Sequence, residues 1–198
     1  RGTLRVTAPV AFSRQQLVPA ITPFLHQNPQ LQLQLEVTDR LVSLASEGFD
    51  LAIRHCRREA LPETHVAWPL CSTATLIVAS AEYIRRFGRP DSPETLRHHQ
   101  CLTYPRGAQS PQWTFESSEQ PAERVSVKVH GPFATNNSES LRDAVLAGLG
   151  IALLPDFSAR EAIGRGLVQE LLPGWRPVEV FAPNLYVIRP YAPRVSRA

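Results

Sequence analysis

The sequence predicts an α/β protein in two lobes, and three observations predict it. The opening residues run strand, helix, strand, helix, strand, which is the grammar of a parallel sheet with helices on its faces. The same grammar occurs twice, once before about residue 79 and once after it. Residues 130–157, HGPFATNNSESLRDAVLAGLGIALLPDF, then read as strand, polar turn, helix, glycine hinge, buried strand and stop. Two lobes joined at extended crossing segments place a ligand cleft between them, with helix N-termini, which favour anions, facing in.

The elements follow in order. Residues 2–8 alternate, Leu4 and Val6 against Arg5 and Thr7, as a strand does. A loop leads to Ser13, a plausible N-cap. Leu17, Val18, Ile21, Phe24 and Leu25 form a helical stripe, kinked or started at Pro19, and Asn28-Pro29 stops it. Leu31, Leu33, Leu35 and Val37 against Gln32, Gln34 and Glu36 are the cleanest strand signal in the chain. Residues 41–47 are a short helix closed by Gly48, and 50–54 an apolar strand. Residues 66–79 are one or two strands, and Ser80 caps a helix over 81–87 with Gly88 as its stop. Ser92-Pro93 starts a helical turn. Strands follow at 101–104, 113–115 and 125–129, with a loop at 106–112. Asn136 with Glu139 makes a capping-box pattern for a helix whose apolar face is Leu141, Ala144, Val145 and Gly148. Gly148 and Gly150 end it, and 151–154 is a buried strand. Ser158 caps a short helix to Ile163, 164–166 turn the chain into Leu167 and Val168, and 185–188 are the last strand before Pro190 and Pro193.

Composition excludes several classes. The chain has 198 residues, 43% of them hydrophobic, enough for a real core. A net charge of +3, with Lys128 the only lysine, demands no nucleic acid as a partner of these residues. No apolar stretch approaches the length of a membrane span, and no signal-peptide pattern opens the chain. The first residue is Arg1 and methionine is absent, so the sequence reads as a piece of something longer. Cys56, Cys71 and Cys101 are odd in number and show no C-x-x-C spacing, which fits reduced cytosolic thiols.

The residues also carry a resemblance. GTLRVTAP, NPQLQLQLEV and EGFDLAIR resemble the first subdomain of the effector-binding domain of LysR-type transcriptional regulators. ASAEYIRRFGRPDSPETLRHHQCLTY resembles that family's passage into its second subdomain, and WTF, NNSESLRDAVLAGLGIALLP and GRGLVQELLPGW complete it. The resemblance implies a type 2 periplasmic-binding-protein-like fold of two Rossmann-like subdomains, residues 1–77 with 182–198 and residues 78–181, around an interdomain ligand cleft. It further implies a cytoplasmic bacterial regulator, homodimeric or homotetrameric, that binds a small-molecule effector between its subdomains. The family binds promoter DNA through an N-terminal winged helix-turn-helix that these residues do not include, with RNA polymerase as a further contact. No membrane and no cofactor is implied.

The resemblance makes Pro9, Val10, Ala11, Phe12 and Ser13 the first effector-contact loop; physically, backbone N–H groups and the Ser13 hydroxyl suit a carboxylate, and the plain alternative is an N-cap. Thr38, Asp39 and Arg40 follow a strand end, where parallel sheets bind ligands. Arg40 suits an anion, or else an ion pair with a neighbour, and Asp39 argues against a strongly anionic site. In the second lobe Thr103 and Tyr104 end a strand and face Phe133, Asn136 and Asn137; core packing and helix capping are the alternatives to ligand contact. Arg54 ends a strand and reads as a residue in or beside the cleft or, as the favoured alternative, as half of a structural ion pair with Asp50 or Glu47. His98, His99 and Cys101 read as a polar helix end, three groups within four positions being no tetrahedral metal site. AGLGIALLP lacks the lysine and spacing of a nucleotide-binding loop.

Two rival functions share parts of this pattern. A periplasmic-type solute receptor shares the fold and would carry a secretion signal. An enzyme would need a Ser-His-Asp, paired-carboxylate or zinc pattern, and none is present, so a sensor without catalysis is expected.

Overall fold

The computed structural model describes residues 2–40, 42–105, 111–119 and 123–191. The expected helix start at Leu41, the loop at 106–110 and the break at Pro193 lie outside them. The chain forms two compact units, Arg1–Thr73 with Ala182–Ala198 and Ala74–Phe181. The passage between Thr73 and Ala74 comes ahead of residues 74–77, which the sequence reading assigns to the first subdomain.

The first unit opens with β1 (Gly2–Ala8) and one continuous helical segment: α1 (Val10–Phe12), a π-helical turn (Ser13–Leu17) and α2 (Val18–Gln27). The helix therefore starts well before the apolar stripe, and Ser13 lies inside it rather than capping it; Pro9 is the N-cap. Pro19 explains the π turn. It has no N–H to give, so the Val18 N–H reaches back five residues to the Ser13 carbonyl and α2 restarts with proline in its first turn. Then come β2 (Leu31–Val37), α3 (Leu44–Glu47), β3 (Leu51–His55), a tight turn (Arg58–Ala60) and β4 (His65–Ser72). The last strand of the chain, β12 (Asn184–Pro190), completes a sheet ordered β2-β1-β3-β12-β4.

β2 and β3 flank β1 in parallel, with Val6 beside Leu35 and Leu51, and Thr7 beside Glu36 and Ala52. β12 is antiparallel to both β3 and β4. The chain leaves β1 toward β2 on one side and then crosses to β3 on the other. The carboxyl end of β1 is thus a topological switch point, the place where open α/β sheets take ligands. Alternation puts Ala52, Tyr186 and Ile188 on one face with Leu44 and Phe49 from the α3 region, a small closed core.

The second unit holds β5 (Thr75–Ser80), α4 (Ala81–Phe87), a turn (Pro93–His98), β6 (Cys101–Leu102), β7 (Gln112–Ser117), β8 (Arg124–Lys128), α5 (Ser138–Leu146), β9 (Ile151–Pro155), α6 (Asp156–Gly164), β10 (Val168–Glu170) and β11 (Trp175–Val178). Four strands form a sheet ordered β10-β5-β9-β6, and three form a second, β11-β7-β8. β9 is buried along its whole length and serves two cores by alternation. Ile151 and Leu153 join Ile77, Tyr83, Trp113 and Phe115, while Ala152 and Leu154 join Val78, Leu102, Leu141 and Val145. Ser80 caps α4 as expected, its hydroxyl accepting from the Tyr83 N–H at 3.2 Å. Ser158 does not cap α6; it is buried within the helix and bonded to the Ser138 hydroxyl at 3.1 Å. β6 is squeezed between two glycines. A Cβ on Gly131 would sit 2.1 Å from the Cys101 carbonyl oxygen, and one on Gly150 would sit 2.4 Å from that of Gln100.

Candidate functional site

In the first unit the two expected loops come together at the switch point. The Thr38 N–H donates to the Ala8 carbonyl at 2.9 Å, extending the β1–β2 ladder past the strand ends. The Asp39 carboxylate accepts from the Val10 N–H at 3.2 Å, so a residue 29 positions away anchors the helix start. The Arg40 N–H donates to the Thr38 hydroxyl at 3.2 Å. The Arg40 guanidinium pairs with Glu47 at 2.9 Å. That hydrogen bond holds the Glu47 carboxyl below its usual range and raises Arg40, so the ion-pair alternative describes this arginine.

Arg54 does otherwise than expected. Asp50 accepts from the Arg5 backbone N–H at 2.8 Å and Glu47 is engaged by Arg40, so neither pairs with Arg54. Its guanidinium is half-buried and donates to the Ile53 carbonyl at 2.8 Å and the Thr7 hydroxyl at 3.3 Å. No carboxylate of the described residues lies within ion-pair distance of it. Burial lowers its pKa and the charge of Arg40 adds to that, while Cys56, Asp39 and Glu47 pull it back up. The Ser13 side chain is also buried, and its hydroxyl has no hydrogen-bond partner among the described residues.

In the second unit Thr103 is buried at the end of β6, and its backbone zips to the following loop: Thr103 N–H to the Phe133 carbonyl and Thr135 N–H to the Thr103 carbonyl, each 3.1 Å. Tyr104 stands edge-on to Phe181, ring centroids 5.4 Å apart, and both Tyr104 and Phe133 flank the Leu102–Leu141 core. The helix cap is Asn137, whose side-chain oxygen accepts from the Ser140 N–H at 2.9 Å. This is one residue later than the Asn136 capping box, and it leaves Asn136 exposed. So the structure gathers residues 103–104, 133 and 136–137 on one edge of this unit, with capping as the role of Asn137.

His99 is buried against Tyr83, with 3.2 Å between its Nδ1 and the phenol oxygen, while His98 is exposed. The three cysteines are free: Cys101 buried, Cys56 half-buried and Cys71 exposed. Burial pushes the Cys101 thiol up to about 12, which suppresses the thiolate that redox chemistry needs. The sequence reading did not single out Thr7, and for Arg54 it favoured a structural ion pair over a place in or beside the cleft. Thr7 looked like the solvent side of an alternating strand, and Arg54 sat near two carboxylates that are spoken for.

A switch-point edge rich in hydrogen-bond donors, on an α/β unit through which the chain passes at both ends, defines a class: small-molecule binding domains built from two α/β units. Residues 1–197 match the family described as the LysR substrate binding domain, and the chain belongs to that family. The E. coli K12 transcriptional regulator YhjC is 34% identical over 197 residues, 99% of this chain and 64% of its own length. The chain spans about 54–64% of the length of the first curated relatives it matches, all of them HTH-type transcriptional regulators. Among solved structures, the regulatory domain of Vibrio vulnificus AphB superposes with a TM-score of 0.79 at 24% identity, covering 98% of this chain and 93% of that one. CrgA from Neisseria meningitidis, a LysR-type transcriptional regulator, gives 0.80 at 26% identity, covering 97% of this chain and 62% of that one. The fold is the type 2 periplasmic-binding-protein-like fold of LysR regulatory domains, and the relatives are regulators rather than solute receptors. No helix of the described residues is long and apolar enough to cross a membrane.

Proposed function

We propose that this domain senses a small-molecule effector through residues 9–13 and 38–40 of the first unit and 103–104, 133 and 136–137 of the second, and performs no catalysis. The carrying observation is the switch point, where Asp39 ties the helix start to the β2 loop and a buried Ser13 hydroxyl stands without a partner among the described residues. An effector that binds one conformation better than another shifts the population by its differential affinity, and no further. In the whole regulator, working in the cytoplasm, that shift repositions DNA-binding domains on a promoter and alters contact with RNA polymerase. A homo-oligomer suits the exposed Val18 and Phe24 of α2 and the open edge of β2.

A thermal-shift screen of small aromatic acids, amino acids and metabolites identifies the effector, because a ligand that binds the folded state raises the unfolding temperature. Calorimetry of the best compound against Ser13→Ala and Asn136→Ala is expected to show weakened binding with folding intact. Unchanged affinity in both variants sinks the assignment.

A further inference from the structure

The chain passes between its units twice, out after Thr73 and back before Ala182. Both crossings meet the first unit at one end of the β4–β12 pair, and that end is weakly laddered. Pro69 has no N–H to give, the register slips between Leu185 and Tyr186, and Leu70 has no counterpart on β12. Past the slip Leu185 lies beside Cys71 and Asn184 beside Ser72, and the Thr73 N–H then donates to the Pro183 carbonyl at 2.8 Å. Cys71 and Ser72 are exposed, so water competes for these bonds and the end can fray.

A side chain from the neighbouring strand ties this end. His55 closes β3 beside Leu185, and its Nε2 stands 2.6 Å from the Ala182 carbonyl oxygen and 3.0 Å from the Thr73 hydroxyl oxygen. A carbonyl only accepts, so Nε2 carries a proton there. The Thr73 hydroxyl donates to the same carbonyl at 3.0 Å, which uses both of its lone pairs. His55, Thr73 and Ala182 thus close a triangle over the last residue before one crossing and the first residue after the other. The backbone behind the imidazole is held as well, since the Cys56 N–H donates to the Asn184 carbonyl at 3.2 Å. A β-ladder is made of backbone groups, so the imidazole is a tie that the sheet itself does not require.

We infer that His55 is a hinge clasp: its side chain fastens the outgoing crossing to the returning one and so sets how freely the second unit moves on its two connections. With the clasp made, Thr73 and Ala182 move as one piece with the end of β3. With it broken, each crossing swings from a frayed ladder end. An effector shifts a conformational equilibrium only by its differential affinity, and the clasp helps to fix where that equilibrium starts.

Amide exchange of the isotope-labelled 198-residue chain, read by NMR, tests this with no ligand present, so its outcome is separate from that of the effector screen. The Thr73 and Cys56 amides report on the clasped end, and the Ile53 and Val187 amides on the body of the same sheet. His55→Leu keeps the bulk and loses the donor. It is expected to speed exchange at Thr73 and Cys56 roughly tenfold or more and to leave Ile53 and Val187 within about twofold. His55→Gln offers a side-chain N–H at a similar reach and is expected to restore most of the protection. Thr73→Val leaves His55 in place and is expected to give a smaller rise at the same two amides. Residual dipolar couplings, fitted to each unit separately, read the motion itself: the two units are expected to differ more in their degree of order in His55→Leu than in the unsubstituted chain. An equal rise at all four amides makes His55 a packing residue and overturns the inference. So does an unchanged Thr73 amide in His55→Leu and Thr73→Val, and so does a difference in order that His55→Leu leaves as it was.

Discussion

The two units finish their central strands in opposite ways. At the ends of β1 and β3 the first unit leaves polar groups without partners among the described residues: the Ser13 hydroxyl, the Thr7 hydroxyl proton and most of the Arg54 guanidinium. At the end of β6 the second unit is more tightly tied. Thr103 is bonded through both its backbone N–H and its carbonyl, Asn137 caps α5, and the Ser138 and Ser158 hydroxyls share a hydrogen bond in the interior. Native interiors pair nearly all their polar groups, so an edge that does not is spending stability on something else, and an edge that does is a frame. Among the described residues the first unit has the more open edge and the second the better-braced one.

The frame breaks most sharply where it is tightest. Gly131→Ala pushes a methyl carbon onto the Cys101 carbonyl, which is backbone and cannot step aside. The expected loss is about 3 kcal/mol of stability, the upper range for overpacking, with β6 and its bonds to the 130–135 loop disrupted. Urea unfolding followed by tryptophan fluorescence measures it. A loss below about 1 kcal/mol would mean that the second unit is as yielding as the first.

The serines give the cleanest contrast. Ser138→Ala removes one partner of a buried hydroxyl pair and strands Ser158, at an expected cost of about 1–2 kcal/mol. Ser13→Ala removes a hydroxyl that has no partner among the described residues, so stability is expected to stay level or rise by up to about 1 kcal/mol, at the expense of ligand affinity. Equal destabilisation by the two substitutions would erase the difference between the edges.

Much of this frame is legible in the sequence, and the reasons are local. The alternation of Leu31, Leu33 and Leu35 is strand β2, Ser80 followed by Tyr83 is a capped helix, and a run bounded by glycine and proline is the doubly buried β9. What escapes is decided at a distance. The helix starts at Val10 because Asp39 reaches it from another loop, and no local pattern shows that. β11 is flanked by Leu172 and Glu179, both at positive φ, and contains Pro177; it is a strand only because β7 lies alongside. Arg54 looks paired from its neighbours in sequence and is not, because competition for Asp50 and Glu47 is settled by Arg5 and Arg40. The same blindness conceals Thr7, whose burial depends on what covers the strand end.

The smallest expected effect separates the units by pH. Tyr83 Oη accepts from the Gln100 N–H at 2.9 Å and shares a hydrogen bond with His99 Nδ1 at 3.2 Å. Burial, and secondarily the neighbouring His98, lowers the His99 pKa below its ordinary 6.5. As pH falls through about 6.5 the unfolded chain takes up a proton on this residue while the folded chain does not yet, which favours unfolding. The stability from a neutral His99 is thus fully present above that value and is lost as pH drops toward the lower folded pKa. Unfolding of the second unit, followed through Trp113 and Trp175, is expected at lower urea near pH 5.5 than near pH 7.5. His99→Gln is expected to remove that difference while weakening the Tyr83 contact at both pH values. If the difference persists in the variant, the acid sensitivity belongs to another group and the Tyr83–His99 pair is only packing.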